Sequence, residues 1–98
     1  MVYENAIFHV TPEKAASFIA AVEENGSVFP RWRGCAWVRL LHCIEVPDRF
    51  ILVICWDSVE AHMAFRAAPE FEAWREATAD YREVPVDMTH YEVVVHHS

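Results

Sequence analysis

Basic residues are scarce in this chain. Eight Lys and Arg stand against fifteen Asp and Glu, for a net charge of −7. A phosphate backbone is held by a basic patch, so this shortage argues against a nucleic-acid partner. The nearest thing to such a patch is Trp32 flanked by Arg31 and Arg33. Long apolar runs are missing too. The longest, Phe50 to Trp56, is far too short to cross a bilayer, and an early Glu4 without a basic leader speaks against a secretory signal. Glycine is limited to two residues, which leaves no Gly-rich phosphate loop, no flexible linker and no low-complexity tract. No repeat recurs at the periods that build solenoids.

Cysteine is sparse and badly spaced for chemistry. Cys35, Cys43 and Cys55 form no C-x-x-C pair. Cys35 and Cys43 fall on one predicted strand, too far apart to join, so buried reduced thiols in a cytoplasmic protein are expected. Among the six histidines no two sit at i,i+4 on a helix, and His96-His97 belongs to a frayed end. No metal site is expected from that pattern. Cys43 and its neighbour His42 point to opposite faces of a strand, so they make no Cys/His pair.

What remains is a small, aromatic, apolar chain. Its 98 residues allow one domain, spanning 1–98, yet 54% are hydrophobic and 13% aromatic. That is more apolar surface than one such core hides. Some of it must meet a partner subunit or line a pocket.

The pattern predicts strands over Val2 to Val10, Cys35 to Val46, Arg49 to Trp56 and Val86 to Val95. Thr11-Pro12-Glu13 opens a helix that runs to about Glu24, where Asn25-Gly26 stops it. Ala15, Phe18 or Ile19, and Val22 form its apolar stripe. Ser27 to Gly34 is an aromatic connection with room for one helical turn, and Pro47-Asp48 turns the hairpin between the second and third strands. Asp57 and Glu60 fit a capping box that opens a short helix over 58–66. Pro69 and Glu70 open another over 69–82, which carries Phe71, Trp74, Thr78 and Tyr81 at helical spacing.

The order is β-α-β-β-α-β. With right-handed crossovers it gives a ferredoxin-like α+β fold, with a four-stranded antiparallel sheet in the order 4-1-3-2 and helices on one face. Ile51 to Cys55 and Val93 to Val95 are continuously apolar, as strands buried on both faces are. A second copy packed sheet to sheet is the simplest cover for the other face, so a homodimer is expected.

Trp56-Asp57-Ser58-x-Glu60-Ala61, continuing through Phe65, Pro69 and Phe71, and the ending His90-Tyr91-x-Val93-Val94 resemble the antibiotic biosynthesis monooxygenase domains of the dimeric α+β barrel superfamily. Thr11-Pro12-Glu13 and Gly34 fit as well, and the resemblance covers nearly the whole chain. It implies oxidation of a small aromatic, polyketide-like or quinol, by molecular oxygen without metal or flavin. A deprotonated phenol is electron-rich enough to reduce oxygen itself. The protein then supplies an apolar pocket, a proton acceptor and an anion-stabilising donor. Two positions depart from the family: Phe65 stands where a His is usual, and Ala68 where a Ser or Thr caps the helix. For the haem-degrading branch, Asn5 matches, but Arg75 occupies the place of the ligating His. A guanidinium cannot ligate iron, so haem degradation is not expected.

The candidate catalytic residues are Asn5, His62 and Arg39. Asn5 sits mid-strand, where Asn is disfavoured, as a pocket amide or a satisfied structural one. His62 lies one turn before Phe65 and stands in for the missing histidine, unless it is simply solvated. Arg39 clamps a phenolate or pairs with an acid across an interface. Trp37, Trp56, Phe65, Phe71, Trp74, Tyr81 and His90 are the candidate substrate-binding residues, each open to a plain packing role. Trp37 and Trp56 are expected close together across the hairpin. His90 and Glu92 share a strand face, as a base held by a carboxylate or as an interface hydrogen bond. A binding dimer without turnover, or a cyclase or isomerase, is the alternative function.

Overall fold

The computed structural model describes residues 1–98. Strand β1 (Val2–His9) leads into helix α1 (Pro12–Asn25) and a single turn α2 (Val28–Arg31). The hairpin of β2 (Cys35–His42) and β3 (Arg49–Trp56) follows, then helices α3 (Val59–Arg66) and α4 (Pro69–Ala77), a 3-10 turn over Ala79–Tyr81, and β4 (Asp87–Tyr91). The sheet order is β2-β3-β1-β4 and every pairing is antiparallel, the ferredoxin-like arrangement that the element order implied.

Several boundaries move for physical reasons. β2 ends at His42, short of Val46, because the chain has already begun to turn. There the Cys43 N–H donates to Arg49 O at 2.9 Å, and the His42 ring lies 4.2 Å from Phe50 and bonds Pro47 O at 2.7 Å. The second short helix stops at Ala77. The Thr78 hydroxyl donates back to Trp74 O at 2.9 Å and tightens the chain into the 3-10 turn that holds Tyr81. β4 ends at Tyr91, so Glu92 lies beyond the strand and is exposed.

Helix α3 is capped by Ser58, whose hydroxyl accepts the Ala61 N–H at 3.1 Å, rather than by Asp57. Asp57 is held one step earlier, its N–H donating to Gly34 O at 2.7 Å. Gly34 has φ of +97°, and a Cβ there would come within 2.8 Å of the Ala61 Cβ. The tight join between the α2–β2 connection and α3 therefore requires glycine.

The core lies between the helices and one sheet face. Ala6, Phe8, Phe50, Leu52, Ile54 and Trp56 point up from the sheet to meet Phe18, Phe29, Phe65 and Trp74 from the helices. The rings of Phe29 and Trp74 cross edge to face at 4.9 Å, and Phe18 meets Phe50 at 5.1 Å. The molecule measures 36 × 36 × 20 Å, and its short axis fits one sheet under one helical layer.

Candidate functional site

Strand alternation places Val2, Glu4, Ala6 and Phe8 on the helix side of β1. Glu4 is therefore a carboxylate in the core, only 4% exposed. Trp56, at the end of β3, donates its indole N–H to Glu4 Oε1 at 2.9 Å. The Nε2 of His62, on the buried face of α3, lies 3.2 Å from the same oxygen. On the other side of that imidazole, His62 Nδ1 lies 2.7 Å from Nε2 of His90. His90 pairs with Glu4 across the β1–β4 ladder, so both rise on the same face. The Trp56 ring stacks on the His62 ring at 4.8 Å and 20°, which fixes the imidazole plane.

Both bonds to Glu4 fall on Oε1. No side-chain N or O that is fully shut from solvent lacks a partner, so Oε2 keeps open surface. Glu4 also lines a cavity of about 130 Å³ between helices and sheet, walled by Phe29, Leu52, His62, Phe71, Trp74 and Met88 among others. Arg66 and Arg82 also reach this cavity.

Burial governs the proton affinities here. It raises Glu4 to about 7, against the lowering effects of the Trp56 hydrogen bond and the Arg66 charge. Burial also lowers His62 to about 4, helped by His90 and the Arg66 charge. Near neutral pH the carboxyl is thus poised between its two forms beside a neutral imidazole. Burial pushes the Cys35 thiol up to about 11, so it is no nucleophile at neutral pH. No three His, Cys, Asp or Glu side chains are arranged to hold a metal ion.

A wider groove of about 450 Å³ runs between α1 and β2, lined by Ile19, Val22, Val38, Leu40 and Phe50. Its titratable neighbours, Glu23 and His42, are exposed, and the His42 ring is engaged by Pro47. It lacks a buried acid–base pair, and the smaller cavity is the better candidate site.

The sequence candidates divide between the two sheet faces. His62, Phe71 and Trp74 line the cavity, while His90 stands behind His62. Trp56 and Phe65 are fully buried behind this layer, and Tyr81 packs on Phe18 at 5.1 Å instead. Asn5, Trp37 and Arg39 point to the opposite face, away from the cavity. There the Arg39 guanidinium lies 4.2 Å from the Trp37 ring centre, and Trp37 lies 6.0 Å from Tyr3. Trp37 and Trp56 are not neighbours as expected: the regular β2–β3 register sets Trp37 opposite Cys55, on the reverse face, and a bulge beyond it sets Cys35 opposite Trp56. The partner of His90 is His62, not Glu92. Glu4 was missed as a site residue, although an acid within the alternation Val2, Glu4, Ala6, Phe8, Val10 was a usable signal.

A family model described as "Antibiotic biosynthesis monooxygenase" matches residues 1–77. A solved structure from Bordetella bronchiseptica, named "Putative antibiotic biosynthesis monooxygenase", is 35% identical with a TM-score of 0.89, over 96% of this chain and 97% of that one. A structure of the same name from Nitrosomonas europaea shares the fold at a TM-score of 0.82 and 21% identity, over 97% of this chain and 100% of that one. "Uncharacterized protein YczJ" of Bacillus subtilis (strain 168) is 25% identical over 76 residues, 76% of this chain and 80% of that protein. No helix of the chain is long and apolar enough to cross a membrane.

Proposed function

The chain belongs to the antibiotic biosynthesis monooxygenase family, and from that premise we propose that it oxidises a small aromatic phenol or quinol with molecular oxygen, without a bound cofactor, in the cavity beneath its helices. The observation that carries this reading is the Glu4 carboxyl, buried against the cavity with its proton affinity raised to about 7. A base of that affinity takes a phenolic proton at neutral pH and can return it. Arg66 and Arg82 on the cavity wall favour the phenolate that results. The electron-rich ring then combines with oxygen, and the peroxide collapses to a quinone and water.

Cavity size narrows the substrate. A cavity of about 150 Å³ holds one benzene ring, and this one is about 130 Å³. A single-ring phenol or hydroquinone fits it better than a fused polycyclic one. Phe71 and Trp74 supply the walls, and His62 fills the role that Phe65 leaves open. Asn5, Trp37 and Arg39 belong, on this reading, to the second sheet face, where two protomers pack into a homodimer. The three unpaired thiols suit a reducing compartment, and the cytoplasm is the proposed location.

Oxygen uptake tests the activity, with hydroquinones, catechols and anthrones in the presence of a chelator. Consumption with single-ring substrates is expected. Ligands that raise the melting temperature while no oxygen is consumed would leave a binding protein instead. A product of unchanged oxygen content would make it an isomerase or cyclase. Light scattering should give twice the 11.4 kDa protomer mass.

A further inference from the structure

Glu4, His62 and His90 touch in sequence, carboxyl oxygen to imidazole to imidazole, at 3.2 and 2.7 Å. We propose that these three side chains form a proton relay, through which the buried Glu4 carboxyl exchanges its proton with solvent at the sheet edge. Its use in turnover rests on the function proposed above; its existence does not.

The relay has two hydrogen-bonded states. In the first, Glu4 is ionised, His62 donates from Nε2 to Oε1, and His90 donates from Nε2 to His62 Nδ1. A solvent proton then adds to His90 Nδ1, the His90 Nε2 proton passes to His62 Nδ1, and the His62 Nε2 proton passes to Glu4. The second state has a neutral carboxylic acid donating to His62 Nε2, with His62 donating from Nδ1 to His90. One proton has entered, three N–H or O–H bonds have formed, and two have broken. No heavy atom moves far, and the reverse order expels the proton. A half-turn of the carboxyl group presents that proton on the cavity side.

The surroundings suit this task. His90 is half-buried on edge strand β4, between the cavity region and solvent. Trp56 holds both inner members, by its hydrogen bond to Glu4 and its stacking on His62. Arg66 on α3 and Arg82 on the cavity wall are the cations near the relay, and Arg66 disfavours a charged His62. A neutral His62 can switch tautomer, whereas a charged one would block the path.

The test uses the wild-type protein without substrate. Nitrogen-15 shifts report the His62 tautomer, and the infrared carbonyl band of protonated Glu4, identified by its loss in Glu4→Gln, reports the carboxyl. From about pH 5 to about pH 9 the band should vanish as His62 changes from Nδ1–H to Nε2–H, at one shared midpoint. A His62 that keeps one tautomer while the band vanishes overturns the relay. A second arm measures turnover: His90→Asn should lower kcat about 100-fold with KM unchanged, and added imidazole should restore part of it. Unchanged kcat in that variant would overturn the relay's use in turnover. If no phenol is oxidised but the coupled switch is seen, the relay stands and the proposed activity falls.

Discussion

On the helix side of β1, Glu4, Ala6 and Phe8 are buried, while Tyr3, Asn5 and Ile7 on the reverse side are only half covered. Both faces carry aromatics and aliphatics, and both carry charged residues. On the helix side those charges are built into a network, with Glu4 bonded to Trp56 and His62. On the reverse side Arg39 lies over Trp37 and is exposed. Hydrophobicity alone does not tell a core from an interface. What separates the faces is whether a buried polar group has found partners, because an unpartnered one costs more than it contributes.

The largest expected contrast is in stability. Phe65, fully buried among Phe29, Trp32, Trp56 and Phe71, should lose about 4 kcal/mol on Phe65→Ala. Trp37→Ala should lose far less in urea unfolding, but should shift the proposed dimer toward monomer in light scattering. Equal losses from the two changes would erase the distinction between the faces.

A smaller contrast appears with pH. Glu4 binds its proton more tightly when folded, so its contribution is full below about 4.5 and is lost as pH rises through about 7. His62 behaves oppositely, its contribution being full above about 6.5 and lost as pH falls through about 4. Between these limits the two slopes cancel, and wild-type stability should be nearly flat. Glu4→Gln removes one slope, so its stability should rise by about 3 kcal/mol from pH 4 to 6.5. Denaturant titrations at stepped pH check this, and a flat profile in the variant would mean that His62 is not held neutral.

Smaller again is the effect of Gly34→Ala, about 2 kcal/mol, from the positive φ and the crowded Ala61 methyl. The smallest effect is on turnover: Asn5→Ala should change kcat less than about 2-fold, against about 100-fold for His62→Gln. A larger loss at Asn5 would bring the reverse face into the site.

Much of the fold could be read from residue order. Turn residues and caps at Thr11-Pro12, Asn25-Gly26, Pro47-Asp48 and Pro69 marked the element ends, and two right-handed crossovers fixed the sheet order. Less of the site could be read. A strand that is apolar on both faces gives no sign of which face carries the helices, so Asn5 drew attention while its neighbour Glu4, which points to the helix side, did not. The β2–β3 register sets Trp37 opposite Cys55 and so on the other face from Trp56, and a one-residue difference in register is not written in the turn residues. The contact of His62 with His90 joins residues 28 positions apart and depends on how α3 lies on the sheet. Local pattern does not carry that information.

On the proposed function, the aromatic ligand sits in the helix-side cavity around Glu4. Backbone and side-chain chemical shifts during titration with a single-ring hydroquinone under anaerobic conditions test it most directly. Shifts centred on Glu4, His62, Trp74 and Met88 are predicted, with the reverse face quiet. Shifts centred on Asn5, Trp37 and Arg39 would contradict it.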